Sequence, residues 1–131
     1  MRTGFTGGSF DLLHAGHVLF FRAAKKKCDI LVVGLHVDPS IERPEKNKPI
    51  QSIYERYIQL RGCKYVDQII PYETEENLKV LMAYGGFDVR FLGGDYLNQE
   101  HKIIGKDILP IEYIPRTHTY SSSELRERIK V

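Results

Sequence analysis

The chain has 131 residues, 42% hydrophobic and 27% charged, which fits one folded domain over residues 1–131 rather than a disordered or fibrous protein. The net charge is only +2, and the basic run Lys25 to Lys27 sits near a helix end, so the composition argues against a nucleic-acid partner. No apolar stretch reaches the roughly 18 residues of a membrane span, no leader is apparent, and Cys28 and Cys63 form no motif. We therefore expect a cytoplasmic protein with reduced thiols and no membrane insertion.

Short apolar runs alternate with segments of helical period along the chain. The clearest run, ILVVGLHV at 30–37, is apolar at nearly every position, as expected for a strand covered on both faces. The alternating order predicts an α/β domain with a doubly wound, parallel, five-stranded sheet. Residues 97–107 are ambiguous. Strands are predicted at 2–6, 30–37, 66–71, 88–92 and 111–114, and helices at 14–27, 52–62, 75–84 and 121–130.

The segment GGSFDLLHAGH at 7–17 directly follows the first strand, and ligands of such sheets bind at the carboxyl ends of the strands. The glycine pair that includes Gly8 lets a ligand approach the backbone closely. His14 and His17 are three residues apart at a helix start and so share one face, while Gly16 between them leaves room. Imidazole donors at a helix N-terminus suit a polyphosphate.

A second segment, RTHTYSSS at 116–123, follows the last strand and opens the last helix. Backbone N–H groups, hydroxyls and the guanidinium of Arg116 would meet there. Ser121 and Glu124 have capping-box spacing, so an ordinary helix cap beside a surface arginine is the alternative interpretation. Two anion-receptive helix starts in one small domain favour a cradle for a nucleoside triphosphate.

These two stretches resemble the HxGH and RTxGISTT motifs of the cytidylyltransferase family, and the similarity runs over nearly the whole chain. The length matches the bacterial glycerol-3-phosphate cytidylyltransferases. The resemblance implies a Rossmann-like fold and a homodimer, with Mg²⁺ bound through the nucleotide phosphates. The implied reaction transfers CMP from CTP to a small phosphorylated acceptor similar to glycerol 3-phosphate and releases pyrophosphate.

The resemblance also implies a role for each residue that matches a family motif. The catalytic set would be His14, His17, Lys48 and Arg116, and no side chain would ligate a metal directly. The acceptor would be bound by Asp11, Lys48, Arg56 and Lys64. The nucleotide would be bound by His14, His17 and Arg116 together with Gly8, Ser9, Phe10, Asp11, Gly93, Asp95, Thr117, Tyr120, Ser121 and Ser122.

Two departures from the family pattern leave alternatives open. The sequence GGDY at 93–96 replaces GDDW and looks like the adenylyltransferase domain of the heptose-phosphate pathway. Lys64 replaces an arginine and cannot form a bidentate fork with a phosphate. One alternative is therefore an adenylyltransferase that uses ATP on a sugar phosphate or a flavin-like acceptor. Another is a non-catalytic nucleotide-binding module.

Other polar residues are weaker candidates. The acidic residues between 67 and 76 are typical of a solvated strand end and a helix N-terminus, where acids are favoured, rather than of a metal site. His101 and His118 have no ligand-like partners at a fixed spacing. His36, at the end of the second strand, is expected either to be structural or to line the site.

Overall fold

The sheet of the protein, which a computed structural model describes for residues 1–130, has five parallel strands. They are β1 (Thr3–Gly8), β2 (Ile30–His36), β3 (Gln68–Tyr72), β4 (Val89–Gly93) and β5 (Ile111–Ile114). Their spatial order is β3-β2-β1-β4-β5, and every neighbouring pair is parallel. The predicted Rossmann-like, doubly wound sheet is confirmed. Because β1 is central and the chain leaves it in both directions, a crevice opens beyond its carboxyl end.

Three helices connect the first four strands, α1 (Ala15–Lys25), α2 (Ile53–Arg61) and α3 (Glu75–Tyr84), and a fourth, α4 (Ser122–Ile129), follows β5. Each begins after a residue whose side chain accepts a backbone N–H of the first turn: His14, Ser52, Thr74 and Ser121. The ambiguous residues 97–107 contain only a short 3-10 turn at Glu100–Lys102, which follows another at Gly94–Tyr96.

Two apolar clusters cover the two faces of the sheet. On one face, Phe21 and Ala24 of α1 and Leu60 of α2 pack on the inner strands. On the other, Leu78 and Met82 of α3 pack against further buried strand residues. Successive strand residues point to opposite faces, so β2, which is covered on both, is apolar from Ile30 to Leu35. We refer below to the α1 face and the α3 face.

No helix within residues 1–130 is both long enough and apolar enough to cross a membrane, and α1 has 11 residues.

Candidate functional site

A cavity of about 1000 Å³ opens at the carboxyl edge of the sheet. The loops after β1, β2, β4 and β5 all contribute to its wall, as the fold predicts. Every residue predicted to bind the nucleotide lines this cavity, from Gly8 to Ser122. The two motifs at opposite ends of the chain therefore meet in one pocket.

The two motif histidines are fixed by backbone hydrogen bonds. His14 is the N-cap of α1, and its Nδ1 accepts from the Gly16 N–H at 2.9 Å. His17 Nδ1 accepts from the His14 N–H at 3.2 Å, and the two ring centroids are 4.0 Å apart. Since both Nδ1 atoms accept, each neutral imidazole carries its proton on Nε2 and can donate it to a ligand.

Burial keeps both imidazoles neutral. It lowers the pKa of His17 to about 3, with the neighbouring His14 acting in the same direction. Burial also lowers the pKa of His14, and His118 and Arg116 add to that effect. The pair therefore presents uncharged Nε2–H donors beside a cation, which suits an anionic ligand.

We expect His17 to remain unprotonated in the folded protein down to about pH 4, well below the ordinary histidine pKa. Because the folded pKa lies below the unfolded one, the contribution of His17 to stability is present above pH 6.5 and is lost as the pH falls. The loss is at most about 1.4 kcal/mol per pH unit. NMR titration of the imidazole Cε1–H signals measures this directly, and a His17 midpoint near 6.5 would contradict it.

The third histidine at the site was not expected. A Cβ on Gly16 would lie 2.7 Å from His14 Cε1 and 2.9 Å from His118 Cε1, so the glycine admits both rings over the helix start. His118 Nδ1 accepts from the Tyr120 N–H at 3.1 Å, and the two rings stack. The sequence showed no ligand-like partner for His118 at a fixed spacing, and its place at the site was missed because His14 and Gly16 lie near the other end of the chain. Its position inside the second motif was the available signal.

Arg116 organises the second motif. It donates from Nη1 to Asp95 Oδ2 at 3.3 Å and from Nε to the His118 carbonyl at 3.2 Å, and its Nη2 donates to the Tyr120 carbonyl. The Asp95 carboxylate is 66% exposed, so this ion pair adds little stability. Its effect is to join the loop after β4 to the loop after β5.

Ser121 caps α4 by accepting from the Glu124 N–H at 3.0 Å, so the helix-cap interpretation holds for its side chain. The next hydroxyl, Ser122 Oγ, donates to the Asp11 carbonyl at 3.2 Å. The start of α4 is thereby held against the loop after β1.

Asp11 has a positioning role in place of the predicted direct contact with the substrates. Phe10 and Leu12 on either side of it have φ of 48° and 52°, a conformation uncommon for residues other than glycine. The Asp11 carboxylate is buried and accepts from the Ile50 and Gln51 N–H groups at 2.8 and 2.9 Å. It also pairs with Arg126 at 3.2 Å, a contact that the sequence did not reveal. Its oxygens thus hold three chain segments together.

Arg56 is not an acceptor ligand, and that prediction is corrected. Its side chain is buried, and its guanidinium donates to the carbonyls of Ser9, His36 and Val37 at 3.1, 2.7 and 2.6 Å. A guanidinium has a limited set of planar donors, and here they close the carboxyl ends of β1 and β2. Arg56 therefore fixes the backbone beside the cavity without lining the cavity itself.

The two predicted lysines lie outside the cavity wall. Lys64 precedes β3 and is at the amino edge of the sheet, opposite the cavity, with its Nζ 5.3 Å from the Tyr65 ring centroid. The predicted acceptor contact of Lys64 within this chain is therefore wrong. Lys48 is exposed on the loop before α2, whose residues Lys46 and Asn47 do line the cavity. Its catalytic role stays a prediction.

Within residues 1–130, no group of three or more histidine, cysteine, aspartate or glutamate side chains is arranged to hold a metal ion.

The sequence model of the family described as cytidylyltransferase-like matches residues 5–128. The chain is 40% identical to the Bifunctional protein HldE of Helicobacter pylori (strain HPAG1), over 96% of this chain and 27% of that protein. It is 35% identical to the protein of the same name from Helicobacter hepaticus, over 97% and 27%. The chain thus spans about a quarter of the length of these relatives.

Among solved structures, the fold is similar to that of a lipopolysaccharide core biosynthesis protein from Thermoplasma volcanium. The TM-score is 0.67 at 24% identity, over 92% of this chain and 99% of the other. This likeness supports the fold. The match over residues 5–128, together with the paired motifs in one cavity, shows that the chain belongs to the cytidylyltransferase-like family and is a nucleotidyltransferase.

Proposed function

We propose that the protein is an adenylyltransferase that transfers AMP from ATP to a sugar phosphate of the heptose-phosphate class and releases pyrophosphate. The observation that carries this proposal is the meeting of His14, His17 and Arg116 at one cavity, whose donors fit a triphosphate. The GGDY sequence at 93–96 lies on the same wall, and its resemblance favours ATP over CTP. The HldE relatives favour adenylyl transfer over cytidylyl transfer to glycerol 3-phosphate, so the adenylyltransferase replaces the cytidylyltransferase as the proposed function.

In the proposed reaction an acceptor phosphate oxygen forms a bond to the α-phosphorus of ATP, and the bond from that phosphorus to the bridging oxygen breaks, with pyrophosphate leaving. Such a transfer requires alignment and neutralisation of charge rather than a protein nucleophile. The Nε2–H groups of His14 and His17 supply oriented donors where negative charge develops, and the N-terminus of α1 adds its dipole. The Arg116 guanidinium supplies positive charge at the same cavity, close enough to act on His14.

Mg²⁺ is expected to accompany the nucleotide and to neutralise charge on its phosphates. The carboxylates of Asp11 and Asp95 are already paired with Arg126 and Arg116. We therefore expect the nucleotide phosphates, and not these carboxylates, to hold the metal. Lys48 is proposed to contact the phosphates from its loop once the nucleotide is bound. The implied homodimer also stays a prediction, which light scattering on the purified protein would test.

The test is pyrophosphate release from each of the four nucleoside triphosphates, with sugar 1-phosphates, heptose phosphates and glycerol 3-phosphate as acceptors. We expect release with ATP and a sugar phosphate, and an ADP-sugar of the corresponding mass. Release with CTP and glycerol 3-phosphate, with ATP inactive, would overturn the choice of nucleotide. Tight ATP binding without release under any acceptor would instead support the non-catalytic module.

A further inference from the structure

The cavity wall has two parts, one on each face of the sheet. Tyr72 belongs to the α3 face, whereas the start of α1, with His14 and His17, belongs to the α1 face. A third imidazole, that of His118, lies on the α1 face as well, because its ring stands over Gly16 in the first turn of α1. The transfer described above gives His118 no role, and the motif RTxGISTT leaves its position open.

The rings of His14 and His118 converge on the first turn of α1. Both turn their Cε1 atoms toward Gly16, where a Cβ would stand less than 3 Å from each of them. In an imidazole Cε1 lies between the two ring nitrogens, so the Nε2 atoms of both residues flank this turn. A ligand that reaches the start of α1 therefore meets two ring nitrogens at once.

The hydrogen bonds of His118 determine which of its nitrogens carries the proton. Nδ1 accepts from the Tyr120 N–H at 3.1 Å, and the two rings stack with centroids 5.3 Å apart. A nitrogen that accepts has no proton of its own, so Nε2 is the donor of the neutral ring. Within residues 1–130, that donor has no protein partner, and His118 lines the cavity. Like the two motif histidines, it is fixed by the backbone through one nitrogen and offers the other to a ligand.

The three imidazoles form a row. The ring centroids of His14 and His17 are 4.0 Å apart. His118 is among the groups that lower the pKa of His14, whereas the charged neighbours that shift the pKa of His17 are His14 and Asp11. His118 therefore lies on the side of His14 that is remote from His17, and it extends the line of Nε2–H donors by one.

The charges around this row favour an anion. Arg116 donates from Nε to the His118 carbonyl, which holds its guanidinium beside the ring, and it acts on His14 as well. The acid that acts on His14 is Glu124, and one of its carboxylate oxygens is taken by Arg128. Uncharged N–H donors beside a cation and a helix N-terminus suit phosphate oxygens better than a neutral sugar or base.

We propose that His118 is a third phosphate-binding histidine, which donates from Nε2 to the phosphate chain of the bound nucleotide beside His14. This inference rests on the proposed nucleotidyl transfer and deepens it. The phosphate chain would be held by imidazoles from both motifs, one of them at a position for which the family motif specifies no residue.

Asparagine and glutamine separate the two nitrogens of His118. The amide oxygen of asparagine can accept an N–H two residues farther on, as Nδ1 does now, but the side chain is too short to replace Nε2. The longer glutamine side chain can place an N–H donor where Nε2 stands but does not preserve the turn. His101→Asn is the matched control, because His101 is exposed and lies outside the cavity wall.

The test measures the binding of α,β-methylene ATP by calorimetry, with Mg²⁺ present and no turnover. We expect His118→Asn to weaken binding at least about ten-fold, as the loss of a hydrogen bond to a charged group does. His118→Gln should keep most of the affinity, and His101→Asn all of it. The melting temperatures without ligand should stay close to that of the wild type, because His118 lies on a half-buried loop.

A purely structural role predicts the opposite order. If His118 serves only to hold the Tyr120 N–H, His118→Asn should bind as the wild type does and His118→Gln should be the weaker variant. That order, or equal losses in the two variants, would overturn the proposal.

NMR identifies the part of the nucleotide that His118 meets. In ¹H–¹⁵N spectra of the imidazoles, α,β-methylene ATP and inorganic tripolyphosphate should each shift the Nε2 signal of His118, and adenosine should not. The His101 signal should stay in place with all three ligands. A shift with adenosine and none with tripolyphosphate would assign His118 to the nucleoside and reject a phosphate contact.

Failure of this inference and failure of the proposed function give different results. Normal pyrophosphate release by His118→Asn, with an unchanged KM for ATP, would reject the role of His118 and leave the adenylyltransferase standing. Binding of α,β-methylene CTP in place of the ATP analogue would instead refute adenylyl transfer. The comparison of His118→Asn with His118→Gln would then be made with the CTP analogue, because a phosphate contact does not depend on the base.

Discussion

Replacing His14 by Asn should lower kcat by about 10²–10³-fold while the protein remains as stable as the wild type. His14 has two separable functions: Nδ1 caps α1 by accepting from the Gly16 N–H, and Nε2 donates toward the cavity. Asparagine is among the best N-cap residues and can keep the first function. It places no donor where Nε2 stands. The measurements are pyrophosphate release at saturating substrates and the midpoint of thermal unfolding.

His101→Asn provides the matched control, because His101 is exposed and does not line the cavity. It should leave turnover and melting unchanged. A normal kcat in His14→Asn would reject the proposed donor role, and a large loss of stability would show that the imidazole matters for folding instead. His17→Asn should lower turnover as His14→Asn does, because it removes the second Nε2 donor. The fold should be kept, because an amide oxygen can still accept the His14 N–H that His17 Nδ1 now accepts.

The inner part of the fold was predictable because its local signals agree. The run at 30–37 reads as a strand covered on both faces, and β2 occupies nearly that range. Agreement is poorer at the sheet edge, where β3 runs from Gln68 to Tyr72 instead of 66–71, because Gln68 and Pro71 interrupt the apolar pattern. Residues 97–107 gave no periodic signal, and what orders them is tertiary: Ile103 is buried, and the Ile104 carbonyl accepts from Arg90.

The candidate site divides in the same way. The motif residues lie where the sequence placed them, because each motif follows a strand and opens a helix. Long-range polar contacts carried no such signal. The sequence shows only that Arg56 is a cation in a helix, whereas the fold shows its guanidinium bound to backbone carbonyls. Arg90 likewise reads as one polar residue in an apolar strand, and only the folded chain reveals that its charge is buried beside the cavity.

Replacing Asp11 by Ala should lower the free energy of unfolding by about 3 kcal/mol and abolish most of the activity. The carboxylate is buried, and its removal would leave two backbone N–H groups, of Ile50 and Gln51, and the Arg126 guanidinium without their acceptor. Activity should fall as well, because the same loop leads directly to His14. Urea unfolding and pyrophosphate release measure the two effects.

Asp95→Ala is the control for stability, since Asp95 also pairs with an arginine but is 66% exposed. It should cost less than about 1 kcal/mol. Equal losses in the two variants would mean that the Asp11 contacts add nothing beyond an exposed ion pair, which would contradict its assignment. A double-mutant cycle with Arg126→Met then isolates the contact with α4. Coupling between Asp11 and Arg126 is expected because their side chains form a direct ion pair. The two residues are 115 positions apart, so this contact makes the order of the last helix depend on the loop that carries the first motif.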